Sequence, residues 1–210
     1  GKELWAYNTD DAFTGPIVIE GRVGYVIGES DYVYAFDTAT GEELWAYNTD
    51  DAFTGPIVIE GRVGYVIGES DYVYAFDTAT GEELWAYNTD DAFTGPIVIE
   101  GRIGYVLGES DYVYAFNAAT GKELWAYNTD DAFTGPIVIE GRVGYVIGES
   151  DYVYAFDTAT GEELWAYNTD DAFTGPIVIE GRIGYVLGES DYVYAFNAAT
   201  GKELWAYNTD

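Results

Sequence analysis

The sequence contains no cysteine, no histidine and no methionine. Without cysteine there is no disulfide and no thiolate metal site, and without histidine there is no imidazole ligand and no histidine general base. The lack of cysteine does not choose between reducing and oxidising compartments. Positive charge is scarce: 8 Lys and Arg stand against 38 Asp and Glu, for a net charge of −30. Nucleic acid is thereby excluded as a partner, since phosphate binding needs a basic surface, and anionic membrane surfaces would repel the chain. Self-repulsion of this size keeps molecules apart. Concentrated salt would screen it, so the acidic excess fits both plain solubility and a halophilic source. No apolar run approaches the length of a membrane span. No targeting segment is recognised and no initiator methionine is seen, so a processed or excised piece is expected and the localisation is left open.

What is present is a forty-residue period. Gly1, Gly41, Gly81, Gly121, Gly161 and Gly201 open successive units, giving five full units and a sixth copy of the first ten residues. Units come in two versions. One carries Val23, Ile27, Asp37 and Thr38; the other carries Ile103, Leu107, Asn117 and Ala118. Such near-identity points to recent amplification or to design, and it offers every functional residue five times over.

Within a unit the signals are those of short strands. Pro16–Glu20 is β-branched, with proline at the strand start where its missing N–H breaks no ladder. Glu20-Gly21 turns the chain into a strand at 22–27, and Gly28-Glu29-Ser30 turns it into Asp31–Phe36. Asp37–Gly41 suits a tight hairpin, because Asp can accept from its own downstream amides and Gly can take positive φ. The last strand is Glu43–Asn48. No stretch has helical periodicity. The middle strands are almost continuously apolar, as expected for sheets covered on both faces. Four strands per forty residues is the rhythm of a propeller blade. The expected fold is an all-β propeller of four-stranded antiparallel blades in a single domain: an outer strand at 1–10, then blades at 11–50, 51–90, 91–130, 131–170 and 171–210. A β-solenoid is the rival architecture, but its coils are usually shorter.

The segment Ala35–Trp45 reads Ala-x-Asp-x-x-Thr-Gly-x-x-x-Trp, and it recurs at Ala75–Trp85 and Ala155–Trp165. Ala115–Trp125 and Ala195–Trp205 carry Asn117 and Asn197 in place of the Asp. This resembles the tryptophan-docking motif of the pyrroloquinoline-quinone-like (PQQ-like) β-propeller repeats, and the resemblance extends over essentially the whole chain. It implies that Trp5, Trp45, Trp85, Trp125, Trp165 and Trp205 are structural, each indole wedged between neighbouring blades. The family includes quinone-dependent alcohol dehydrogenases and an outer-membrane-assembly scaffold lipoprotein, which implies an extracytoplasmic setting.

The resemblance does not carry the quinone chemistry with it. The family's enzymes are typically eight-bladed and combine unlike residues from different blades, a Ca²⁺ held by Glu and Asn, and an Asp base. Here the blades are copies, so no two carboxyls sit in environments different enough to become an acid and a base. Ser30 and Thr40 have no histidine partner, and Gly21-Arg22-Val23-Gly24 lies in a hairpin, not between a strand and a helix as a dinucleotide loop requires. No catalytic residue and no cofactor are assigned.

Acids concentrate at Asp10, Asp11, Asp50, Asp51, Asp90, Asp91, Asp130, Asp131, Asp170 and Asp171, with Glu29 and Asp31 on the same blade face. Asp and Asn suit turns, which accounts for them blandly. The sharper reading is a ring of oxygens that takes Ca²⁺ or another hard cation. Phe53 and Tyr47 near the same loops are candidate protein contacts or packing residues beneath the loop. The expected function is therefore a non-catalytic scaffold or binding module with a protein partner on a blade face. The alternatives are a self-assembling structural protein joined through its terminal outer strands and a cation-binding acidic propeller. The spare strand sharpens the second alternative: five inner triplets meet six outer copies, and either terminal copy could complete the last blade.

Overall fold

In the computed structural model, residues 1–208 are described; Thr209 and Asp210, the end of the last expected blade, lie outside them. Every assigned element is a strand. Among the described residues no helix is long and apolar enough to cross a membrane. The first sheet contains β1 (Phe13–Glu20), β2 (Val23–Gly28), β3 (Tyr32–Asp37) and β4 (Glu43–Asn48). The second contains β5 (Val58–Glu60), β6 (Val63–Ile67), β7 (Tyr72–Asp77) and β8 (Glu83–Asn88). The third contains β9 (Phe93–Glu100), β10 (Ile103–Gly108), β11 (Tyr112–Asn117) and β12 (Glu123–Asn128). The fourth contains β13 (Val138–Glu140), β14 (Val143–Ile147), β15 (Tyr152–Asp157) and β16 (Glu163–Asn168). The fifth contains β17 (Phe173–Glu180), β18 (Ile183–Gly188), β19 (Tyr192–Asn197) and β20 (Glu203–Asn208). Each sheet is four-stranded with its strands in chain order. These are the blades of a β-propeller fold, as the forty-residue period predicts.

The chain forms two compact units. One holds Gly1–Ile99 with Ala118–Lys122, and the other holds Glu100–Asn117 with the residues from Glu123 on. The boundary falls inside the third repeat.

In the first unit, β2 and β3 pair with Tyr25 opposite Ala35 and Val26 opposite Tyr34. Both strands are buried through their middles. Burial on both faces explains the unbroken apolar runs: one face packs on the preceding segment and the other on the next blade. Tyr25, Ile27 and Tyr47 of the first blade share a buried cluster with Ile57, Val66, Tyr74 and Phe76 of the second. The second unit repeats this packing, with Tyr145, Ile147 and Tyr167 against Ile177, Val186, Tyr194 and Phe196.

The β3–β4 pairing slips between Ala35 and Phe36, so that Ala35 faces Trp45 while Phe36 faces Glu43. This bulge leaves Leu44 without an opposite residue and re-aims the strand end that carries the indole. The hairpin before it is built as its sequence suggests. The Asp37 carboxylate accepts hydrogen bonds from the amides of Ala39 and Thr40 at 2.8 and 2.9 Å and pairs with Arg22 at 2.9 Å.

Two expectations are corrected. The first concerns residues 1–10, expected as an outer strand. They form no assigned strand and join none of the five sheets. The fifth sheet is instead completed by the C-terminal copy, β20. The second concerns the innermost strand, expected from Pro16 in every repeat. The identical sequence Phe-Thr-Gly-Pro-Ile-Val-Ile-Glu takes two backbone paths. In the first, third and fifth repeats it is an eight-residue strand. In the second and fourth it is a three-residue strand preceded by an isolated bridge, Phe53 to Gly68 and Phe133 to Gly148. Gly15, Gly95 and Gly175 take positive φ, near 73°, 71° and 73°, whereas Gly55 and Gly135 do not. A glycine at this position is what permits both paths.

Candidate functional site

The acidic connection after each blade is the part of the repeat closest to chemistry, and its two aspartates have different jobs. After β4, the Asn48 side chain accepts from the Asp50 amide at 3.1 Å and donates to the carbonyl of Asp31 at 3.1 Å. Asp50 sits at φ 56°, a left-handed turn conformation that Asp tolerates better than most residues. Thr49 donates its hydroxyl to the carbonyl of Asp51 at 3.0 Å and accepts from the Asp51 amide at 3.2 Å. The turn thus aims Asp50 outward and Asp51 inward.

Asp51 is buried, at 7% exposure. One carboxylate oxygen accepts from the backbone amide of Ser70 and the other from the hydroxyl of Tyr74, both at 3.0 Å. A side chain at Gly68 would overlap this carboxylate, so the glycine of the β6–β7 turn is the floor of the site. The pattern recurs: Asp11 with Ser30 and Tyr34, Asp131 with Ser150 and Tyr154, and Asp171 with Ser190 and Tyr194. Burial, followed by the hydrogen bond to Asp51 and the charge of that carboxylate, pushes the Tyr74 hydroxyl far above its ordinary range. At Tyr194, burial and the bond to Asp171 push it up to about 12. Phenols held this tightly donate to a carboxylate and neither give up nor take protons near neutral pH.

The candidate cation ligands are therefore divided. Asp11, Asp51, Asp131 and Asp171 turn inward on amide and phenol donors; Asp51 and Asp131 are buried, as is Asp91, while Asp11 and Asp171 are half-buried. Asp10, Asp50, Asp90, Asp130 and Asp170 are exposed at the turn tips. Among the described residues no three acidic side chains gather as a metal would require. Phe53 packs edge-on to Tyr74, centroids 6.2 Å apart, beneath the loop. Two cavities among the described residues are small. One of about 210 Å³ lies between Thr14-Gly15-Pro16 and Thr54-Gly55-Pro56, and one of about 180 Å³ is lined by Tyr145, Arg182 and Ala198. Ordinary small-molecule sites start at roughly 300 Å³.

The tryptophans make the junctions. Trp45 donates its indole N–H to the carbonyl of Thr78 at 3.1 Å and lies edge-on to Phe76, centroids 5.5 Å apart. Beside it, the Tyr47 hydroxyl donates to Glu83 at 2.7 Å. The indole covers Gly81, where an added Cβ would stand 2.6 Å from Trp45 Cε3. Trp5 covers Gly41 in the same way, Trp85 Gly121, Trp125 Gly161, and Trp165 Gly201.

Sequence reasoning missed a second acceptor preference at these junctions. Where the receiving blade carries Thr, the carbonyl accepts from the indole, as with Trp5, Trp45 and Trp125 at 3.1 to 3.2 Å, and at Thr78 and Thr158 also from Tyr25 and Tyr105 at the longer distances of 3.5 and 3.4 Å. Where it carries Ala, the tyrosine bond is shorter: Tyr65 bonds Ala118 at 3.0 Å and Tyr145 bonds Ala198 at 3.1 Å. The buried indole N–H of Trp165 is then left without an acceptor. Trp205 stands apart from the other five. It is exposed, and its ring contact is with Tyr185 of its own blade.

This repeated docking of an indole over a glycine, blade after blade, accompanies a match to the family described as outer membrane protein assembly factor BamB, over residues 1–98 and 109–210. The chain belongs to this family of PQQ-like propellers. No curated protein matches it. Among solved structures it is similar to BamB from Moraxella catarrhalis, with a TM-score of 0.77 and 22% identity over 98% of this chain and 67% of that one. It is also similar to a europium-containing methanol dehydrogenase, with a TM-score of 0.75 and 15% identity over 98% of this chain and 53% of that one. A third is the quinohemoprotein alcohol dehydrogenase ADHIIG from Pseudomonas putida HK5, with a TM-score of 0.69 and 18% identity over 92% of this chain and 41% of that one. At these identities the likeness is one of fold. The chain spans about two thirds, half and two fifths of the three, respectively.

Proposed function

We propose that this BamB-like chain is a non-catalytic, protein-binding scaffold working outside the cytoplasm, and that self-association through its terminal segments is part of that role. One observation carries the reading: the inward carboxylate is closed off by an amide and a phenol in the same way at Asp11, Asp51, Asp131 and Asp171. An enzyme of the dehydrogenase kind needs a base kept free for substrate, in surroundings unlike those of its partners, and identical closed sites offer none. The propeller's loops on a rigid frame suit protein contact, and its family is described by an assembly role. Near-identical repeats fit amplification or design equally well, and both are compatible with a scaffold. Reconstitution tests the reading. Incubated with pyrroloquinoline quinone and Ca²⁺ or a lanthanide, the chain should show no dye-linked alcohol oxidation and no rise in melting temperature. Turnover that follows added quinone would overturn it.

A further inference from the structure

The two ends of the chain carry the two halves of one junction. At the C-terminal end, the fifth blade presents the face that its predecessors use to receive the next blade. Its residues are bare: Trp205 is 44% exposed, Tyr207 62% and Leu187 50%, whereas the equivalent Leu107 is 3% exposed. A groove of about 220 Å³ lies in this face, lined by Pro176, Val178, Tyr185, Val186 and Leu187. At the N-terminal end, the first blade presents the opposite half. Ile17 is 60% exposed, while its counterpart Ile57 is 4% exposed, packed in the cluster with Tyr25, Ile27 and Tyr47 of the blade before it.

Part of that second half is already covered, by residues 1–10. Trp5 donates to the carbonyl of Thr38 at 3.1 Å, and Tyr7 donates to Glu43 at 2.7 Å. Both rings lie on Phe36, at 5.7 and 5.3 Å. These are the contacts that Trp45 and Tyr47 make to Thr78, Glu83 and Phe76. The segment has the same sequence as residues 201–210, but it brings no sheet with it and leaves Ile17 uncovered.

We infer that residues 1–10 are an intramolecular plug, and that the occupant of the fifth-blade face is the first blade of a second copy of this chain, which exchanges its plug for Trp205 and Tyr207. The interface continues the junctions within the chain. Trp205 takes the place of Trp5 over Gly41 and donates to Thr38, Tyr207 reaches Glu43, and Ile17 fills the groove between Tyr185 and Leu187. Such a contact is heterologous, so it builds open or ring-shaped assemblies and not a two-fold dimer. The plug competes for the same surface and lowers the fraction of chains ready to join, which weakens the apparent affinity in proportion. The net charge of −30 opposes the encounter at low salt. This inference rests on reading the chain as a contact-making scaffold.

Light scattering over a range of protein concentrations in about 1 M NaCl, where screening acts within roughly 3 Å, tests it. Wild type should grow in mass with concentration. Trp205→Ala should weaken that growth by about thirtyfold or more, as loss of a central tryptophan anchor does. Ile17→Asp, on the other half, should do the same without touching Trp205. Trp5→Ala should strengthen growth several-fold by loosening the plug. Growth unchanged in both Trp205→Ala and Ile17→Asp would overturn this interface while self-association stood. A single mass in wild type and Trp5→Ala at every concentration would overturn the inference, leaving the non-catalytic reading to the reconstitution assay.

Discussion

Trp45 and Thr78 sit in successive blades and share one hydrogen bond, indole N–H to backbone carbonyl, at 3.1 Å. The corresponding indole of Trp165 is buried without an acceptor, and there Tyr145 bonds the Ala198 carbonyl at 3.1 Å. Substituting phenylalanine should separate the bond from the packing. Trp45→Phe should cost about 1 kcal/mol more than Trp165→Phe, the usual net worth of one such bond. Urea unfolding of the two variants measures the difference.

The two paths of the inner strand make a paired prediction. Gly15 is at φ 73° with open space around its Cβ position, and Gly55 has the same open space without the positive φ. Gly15→Ala should destabilise by roughly 1 kcal/mol. Gly55→Ala, in the same local sequence, should be neutral or stabilising by about 0.5 kcal/mol through the unfolded chain. Equal effects in urea unfolding would mean that the repeats share one path in solution.

Stability should fall at both extremes of pH. Burial and the charge of Glu60 push the Tyr65 hydroxyl up to about 12, and burial with the bond to Asp171 does the same at Tyr194. The folded values lie above the unfolded value of 10.0. This contribution is therefore intact below pH 10.0 and is lost as pH rises through the folded values, because only the unfolded chain releases the protons at first. Tyrosinate absorbance should appear together with loss of circular dichroism above that pH. At the acid end, desolvation raises the Asp77 carboxyl, but the amides of Ala79 and Thr80 and the Arg62 guanidinium outweigh it and hold it below 3.8. Its contribution is present above 3.8 and is lost as pH falls through the lower folded value. Asp37 and Asp157 follow the same course. Acid titration of Asp77→Asn should show a shallower loss in this range.

The inward aspartate should matter for structure and little for ions. Asp51→Ala leaves the Ser70 amide and Tyr74 hydroxyl without their acceptor, at a cost of about 1–3 kcal/mol. Millimolar Ca²⁺ should leave the melting temperature of the wild type unchanged, since a ligand of the native state must raise it. A clear rise, lost in Asp50→Ala, would establish the turn-tip aspartates as ligands.

Much of this fold was legible because each strand is bounded by a turn with its own chemistry. Asp37 and Gly41 mark the hairpin before β4 as plainly in the sequence as in the structure. The tryptophan motif identified the residues of the junction, and the glycine beneath each indole was already part of it. Sequence spacing could not separate Asp50 from Asp51, because neighbours in a turn part company only when Asn48 and Thr49 set its geometry. Nor could identical residues announce two paths at Gly15 and Gly55, since that choice belongs to surroundings and not to local preference. The fate of residues 1–10 was not legible either: Trp5 docks as its copies do, yet the segment around it joins no sheet, a difference that identical sequence cannot announce.

The indole and the glycine it covers lie on opposite sides of every junction, one supplied by each repeat. Inserting or deleting forty codons therefore preserves every boundary, because each new blade arrives with both a plug and a socket. A chain of this kind can gain or lose whole blades without needing a single new interface, so blade number can change while the packing of each blade on its neighbour stays the same.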